Sequence, residues 1–192
     1  MNPFVGTKNS TSLIEMEKLA EQGVLPVEIV DRLANHTLKI VDASFYATRK
    51  VSAGTTELMQ ASDNKVEGVT NLNNRKMEAA QYFLLKGIRV LSATVSGDSA
   101  ADLAGASFGV ASDVIKNAEL DITVAGGTAF PRNSCQLFNT TDSNRSIGYY
   151  ELDCPRLITP QSEIVPTLRI NSGATVTNTA VRIELIGSLI IS

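Results

Sequence analysis

The chain has 192 residues, 43% of them hydrophobic and 19% charged, and carries a net charge of −3. That length suits one domain with a small appendage and buries one sizeable core, and the composition excludes a disordered chain. The acidic balance, with no basic stripe beyond Arg49-Lys50, argues against extensive nucleic-acid contact, because gripping phosphates needs clustered cations.

The first 36 residues read as a helical arm. Ser12 and Glu15 fit a capping box, in which hydroxyl and carboxylate satisfy end-of-helix amides. Leu13, Met16, Leu19 and Ala20 then share one face, and Gly23 is a stop. Pro26 suits the first turn of a second helix, where Val27, Val30, Leu33 and Ala34 make a stripe. Helices this short are unstable alone, so they must pack on each other, on the main body or on a neighbouring subunit. A helix-turn-helix reader of DNA is rejected. Glu15, Glu17, Glu21, Glu28 and Asp31 face only Lys18 and Arg32, and an acidic recognition helix repels phosphate.

From residue 37 the texture turns to β. Residues 37–51 read as a strand with a bend near Asp42, and residues 55–60 as a second, short one. An Asn-rich loop follows. Residues 81–95 give the strongest strand signal of the first half, and Gly87 marks a bulge or bend within it. Residues 97–117 are an alanine-rich excursion with a short helix. Residues 118–124 open a hairpin that turns at Gly126-Gly127 and returns briefly. After the polar loop beyond Phe138, residues 149–155 form a short strand ended by Pro155. Residues 163–170 form another, where Pro166 points to an edge or a bulge. Residues 180–192 alternate, with Val181, Ile183 and Leu185 on one side and Arg182 and Glu184 on the other. The unequal loops exclude a propeller or internal repeat, and the lack of βαβ alternation excludes a parallel sheet. The expected fold is mainly β: an eight-stranded antiparallel Greek-key sandwich of the jelly-roll type over residues 37–192, behind a helical arm over residues 1–36.

Residues able to carry chemistry are sparse. His36 is the single histidine, and no nucleophile elbow accompanies it, so a capping or surface role is expected. Cys135 and Cys154 match no zinc or redox spacing and read as two reduced thiols. Asp142-Ser143-Asn144 lacks the remaining ligands of a calcium loop. Asp153 and Glu163 could be set as glycosidase carboxylates, but any β-protein offers such pairs. The glycines at 126 and 127 lack the lysine of a phosphate loop. Tryptophan is absent, and Tyr149-Tyr150 is the one adjacent aromatic pair, with alternation burying one of the two. No catalytic, cofactor-binding or metal-binding residue is assigned, and the chain is not expected to be an enzyme. The N-terminus has no basic start followed by an apolar core, so no secretory signal is expected, and no apolar run is long enough for a transmembrane segment. The glycosylation triplets at Asn9, Asn35, Asn139 and Asn144 mean little without a secretory route.

The order of these pieces carries a resemblance. YFLLKGIRVLSA leads into a long insertion, then NAELDITVAGGTAFPRN, a polar loop, LDCPRLITPQSEIVPTLRIN and the closing VRIELIGSLI. In this order residues 38–192 resemble the jelly-roll coat proteins of icosahedral bacteriophages. The resemblance implies a virion structural protein, made in the host cytoplasm and located in the capsid shell. It would self-assemble as a homo-oligomer, a trimer or pentamer, alongside other virion proteins, or would decorate the shell. Residues 12–35 would be an arm that touches neighbours or the shell interior. That arm is acidic where many shell proteins carry a basic one. This points to a layer away from the genome, to a decorating protein, or to a coat that meets a membrane or scaffold. The apolar end Leu189-Ile190-Ile191 fits a strand buried in a barrel or between subunits. A β-sandwich binding module, such as an adhesin or a receptor- or glycan-binding domain, is the alternative reading.

Overall fold

The computed structural model describes residues 11–21, 23, 25–35, 37, 39–140 and 146–191. Two helices, α1 (Thr11–Glu21) and α2 (Val27–Ala34), come first. Eight strands follow: β1 (Lys39–Lys50), β2 (Gly54–Glu57), β3 (Gln81–Thr94), β4 (Glu119–Val124), β5 (Gly127–Ser134), β6 (Tyr149–Ile158), β7 (Ile164–Ile170) and β8 (Thr179–Ile191). Short helices α3 (Ala100–Ala104) and α4 (Asp113–Lys116) occupy the excursion between β3 and β4.

The strands form two four-stranded sheets, ordered β1-β8-β3-β6 and β2-β7-β4-β5. The pairs β1/β8, β2/β7, β3/β6 and β4/β5 are all antiparallel. The chain is therefore one long antiparallel ribbon whose successive strand pairs fall in alternate sheets, which is the jelly-roll order.

Alternation builds the core. Val181, Ile183 and Leu185 of β8 are buried and face Phe83, Leu85, Ile88 and Val90 of β3 and Leu120, Ile122, Ile164 and Leu168 of the opposite sheet in one cluster. Phe45 and Phe83 meet edge-on at 4.8 Å between ring centroids. Phe130, Phe138 and Tyr150 form a second aromatic group at 6.1–6.2 Å. The positions of β3 that face the main core switch from odd (83, 85) to even (88, 90) because the register against both β8 and β6 shifts between Leu85 and Gly87. Lys86 is the extra residue of a bulge at the place where Gly87 suggested one. The Tyr149 ring lies over Gly87, filling the space a Cβ would need.

Several boundaries differ from expectation, each for a physical reason. β1 passes straight through Asp42, which pairs with Ser188 in an unbroken register. The hairpin turns at Ala125-Gly126, with φ of 48° and 80°, so Gly127 already belongs to β5. Positive φ at both central residues matches the twist of the flanking strands. β5 continues through Pro131, and β6 through Pro155 to Ile158. Both are edge strands, where a missing N–H removes no ladder bond. Pro166 lies in β7, an inner strand, yet its carbonyl accepts from the Leu58 N–H at 2.9 Å. Its nitrogen thus faces the side on which β2 has ended. A proline there offers no donor, and β2 stops at Glu57, short of the expected residue 60.

The helices close one end of the first sheet's outer face. Met16, Leu25 and Ile29 are buried against Leu84 and Ile190, with Leu19, Leu33 and Ile40 around them. The apolar face of α2 is thus Ile29, Val30 and Leu33, whereas Val27 is 75% exposed. The expected capping box rests on side chains outside the described residues. At the other end Leu103, Val95 and Ala180 pack with Val69 and Phe108. Between these covers lies a polar strip: Glu184 binds Arg89 at 3.3 Å and Arg182 at 3.5 Å, and Arg182 stands 4.5 Å over the Tyr46 ring.

β8 and β3 approach so closely at Gly187 that a Cβ there would overlap the Leu84 carbonyl oxygen. Gly187→Ala is expected to cost about 3 kcal/mol, read as a lower urea midpoint with unchanged slope. Gly109→Ala, where a Cβ meets open space, is expected to stay within about 0.5 kcal/mol.

Candidate functional site

The residues weighed for chemistry are held in structural roles or kept apart. Cys135 opens a 3-10 turn, Cys135–Phe138, and is buried. Burial, and secondarily the charge of Glu119, push its thiol up to about 12. Cys154 is exposed on β6, and both thiols are free. Asp153 lies beside it, in the first sheet. Glu163 stands in the approach to β7 of the second sheet, bound to Lys76 at 3.2 Å and Arg75 at 3.2 Å. Those two cations, Lys76 first, hold its carboxyl below the usual range, so at neutral pH it has no proton to donate. His36 and Asp142-Ser143-Asn144 lie outside the described residues, as does Asn9. Tyr150 joins the core cluster, while Tyr149 covers Gly87. Among the described residues no three His, Cys, Asp or Glu side chains gather as a metal site.

The Arg49-Lys50 pair is divided by strand alternation. Arg49 faces inward with Ala47, where its Nη2 binds Asp63 at 2.6 Å and its Nε donates to the Leu58 carbonyl at 3.5 Å. Asp63 also accepts the Gln60 N–H at 2.7 Å. This staple ties the long β2–β3 connection to β1. A cleft of about 660 Å³ opens beside it, lined by Thr48, Ser52, Gln60, Asn64 and Asp98 among others. Its walls mix hydroxyls, amides and paired charge with apolar side chains such as Val51, Val66 and Leu103, and carry no unbalanced positive charge for a phosphate. A second cleft of about 450 Å³ lies between Lys76, Gln161 and the Ala125-Gly126 turn.

The remaining candidates are surfaces. The outer face of the second sheet carries Glu119, Asp121, Arg132 and Arg169, joined in one chain of ion pairs. Beside it Arg75 bridges Glu57 and Glu163. The sheet edges are each treated differently. β2 has only four residues. β5 carries Pro131 and two register shifts. In β6, Glu151 pairs with Gly87 and Arg156 with Leu85, so Leu152 to Pro155 bulge out opposite the single residue Lys86. On β1 the cap is a side chain. Asn71 Oδ1 accepts from the Tyr46 N–H and its Nδ2 donates to the Ser44 carbonyl, both at 2.8 Å, while its backbone N–H reaches the Tyr46 carbonyl at 3.3 Å. Asn71 therefore imitates a neighbouring strand. In the sequence it is indistinguishable from the other loop asparagines, because its partner lies 25 residues away.

No protein-family model and no curated protein sequence matches this chain.

At neutral pH the folded protein is expected to show one fast-reacting thiol, Cys154, and a second only after unfolding, measured with a chromogenic disulfide reagent. The raised folded-state pKa of Cys135 also sets a sign. Its stabilising contribution is full below the unfolded value of 9.0 and falls away as pH rises toward about 12. Alkaline denaturation curves for Cys135→Val should be shallower across that window than those of the unaltered chain.

Proposed function

We propose that this chain is a structural protein of an icosahedral bacteriophage virion, which builds or decorates the capsid shell by assembling with copies of itself. The observation that carries the reading is the strand order, β1-β8-β3-β6 against β2-β7-β4-β5. It is the topology that the resemblance to phage coat proteins implies. Fold alone does not fix function, so the surfaces matter. The outer face of the second sheet carries internally paired charges, suited to contacts that are individually weak and repeated by symmetry. The arm is anchored to its own sheet through Met16 and Ile29 and leaves Ile14 and Val27 exposed for a neighbour. Glu17, Glu21, Glu28 and Asp31 are exposed on it, which fits a position away from the genome. The chain would work in the virion shell as a trimer or pentamer alongside other virion proteins, after synthesis in the host cytoplasm.

One observation favours a second reading, a β-sandwich binding module. The cleft beside Arg49 and Asp63 is lined by Thr48, Ser52, Gln60 and Asn64, groups that hydrogen-bond the hydroxyls of a glycan.

Native mass spectrometry and negative-stain microscopy over a range of protein and salt concentrations separate the two. Trimers, pentamers or closed shells are expected from a shell protein. A strict monomer throughout would overturn that reading, and binding to a glycan array would then support the module.

A further inference from the structure

Thr48 is 3% exposed, yet its Oγ1 has no hydrogen-bond partner. A buried hydroxyl without a partner is destabilising, and such groups are scarce in folded proteins. Thr48 belongs to the wall of the cleft of about 660 Å³ beside Arg49 and Asp63. Its backbone is held on both sides, by the pairing with Arg182 of β8 and by the Val69 carbonyl, which accepts its N–H at 2.8 Å. The cleft is also preformed. Asp63 is fixed by Arg49, by the Gln60 N–H and, through its own carbonyl, by the Asn74 N–H. Around that staple the side chains of Ser52, Gln60, Ser62 and Asn64 line the cleft, and among the described residues none of the four has a hydrogen-bond partner. Hydroxyls and primary amides can each donate and accept. Val51, Val66 and Leu103 add apolar wall, with Val66 39% exposed.

We propose that this cleft binds a neutral saccharide of roughly one or two rings, and that a ring hydroxyl supplies the partner the Thr48 hydroxyl lacks. The inference rests on the glycan-binding reading of the cleft, gives it a residue and a ligand class, and is independent of whether the chain is a monomer or part of a shell. A sugar ring has the matching chemistry. Its hydroxyls both donate and accept, and its C–H faces need apolar contact of the kind Val51, Val66 and Leu103 offer. A phosphorylated or carboxylated ligand would need an unmatched cation. Here Arg49 and Lys50 are balanced by Asp63 and Asp98. A peptide would bind most directly by adding a strand to a free edge. Along this cleft the β1 edge is already taken, because Asn71 holds Ser44 and Tyr46 and Val69 holds Thr48.

The test uses the full chain on a printed array of neutral glycans, charged glycans and short peptides, followed by calorimetric titration with the strongest neutral sugar. Thr48→Val keeps the shape of the side chain and removes the hydroxyl. That hydroxyl has no partner in the free protein, so the variant is expected to melt at the same temperature or higher. Its sugar affinity is expected to fall at least roughly tenfold. A hydroxyl with a merely structural role would move the melting temperature and leave binding alone. Asn64→Ala, at the exposed rim, reports on the same site without touching the buried wall, and the same direction of loss is expected. Sugar binding undiminished in both variants would overturn this site and leave glycan binding by another surface standing. Capture of charged glycans or peptides alone would overturn the neutral sugar. No capture at any spot would overturn the site and the glycan-binding reading together, and would leave the self-assembly reading untouched.

Discussion

The thirteen residues of β8 lie between β1 and β3 and hydrogen-bond to both along nearly their whole length. One strand thus satisfies two neighbours, and three features depend on it. Its inner side chains, Val181, Ile183 and Leu185, form the floor of the main core. Its outer side chain Ile190 is the seat on which Met16 and Ile29 of the arm rest. Its glycine at 187 allows β3 to come close enough for the bulge at Lys86 to be absorbed without loss of pairing. An apolar terminal segment that would be an aggregation hazard at an edge is harmless in the middle of a sheet.

The rest of the molecule manages the two outer faces in opposite ways. The first sheet is covered at both ends, by the arm and by the excursion that carries α3, with an ionic strip between the covers. The second sheet bears no such cover among the described residues, and its outward side chains neutralise one another. The outermost of these ion pairs, Arg132–Glu119, is half-exposed and adds little to stability, whereas Asp121 and Arg169 are more deeply set. Their effect is on association: a face without net excess charge neither attracts polyanions nor repels a like face.

Much of this was legible in the sequence, wherever the signal is local. The alternation of 181–185 assigned both faces of β8 correctly, and Gly87 marked the bulge. The count of eight strands and the helical arm follow from texture alone. The misreadings share one cause, which is that tertiary position decides what a local signal means. Pro155 signals a stop because a proline cannot serve an inner strand, but β6 is an edge. Spacing puts Val27 on the apolar stripe and the fold buries Ile29, since which face of a short helix turns inward depends on what it lands upon. The glycine pair points to a turn one residue later than the real one, because two glycines predict positive φ more strongly than Ala125, which adopts it. Asn71 and the Arg49–Asp63 staple had no local signature, because each joins segments that only the fold brings together.

The central place of β8 also sets an order of events in time. Sheet one cannot exist until β1 and β3 receive the strand between them, and in synthesis that strand follows the other seven. While the ribosome is still making the domain, β1 and β3 each lack a partner, and the floor of the core is missing. Contacts that span nearly the whole domain close slowly, since the entropy of a long loop is lost before the pairing rewards it. The nascent chain would therefore pass through a stage with two unsatisfied strands, during which the arm helices, made first, have no seat at Ile190. A folding helper acting on this protein would have most to protect in that interval, and the last strand to arrive would trigger both sheet closure and arm docking in one cooperative step.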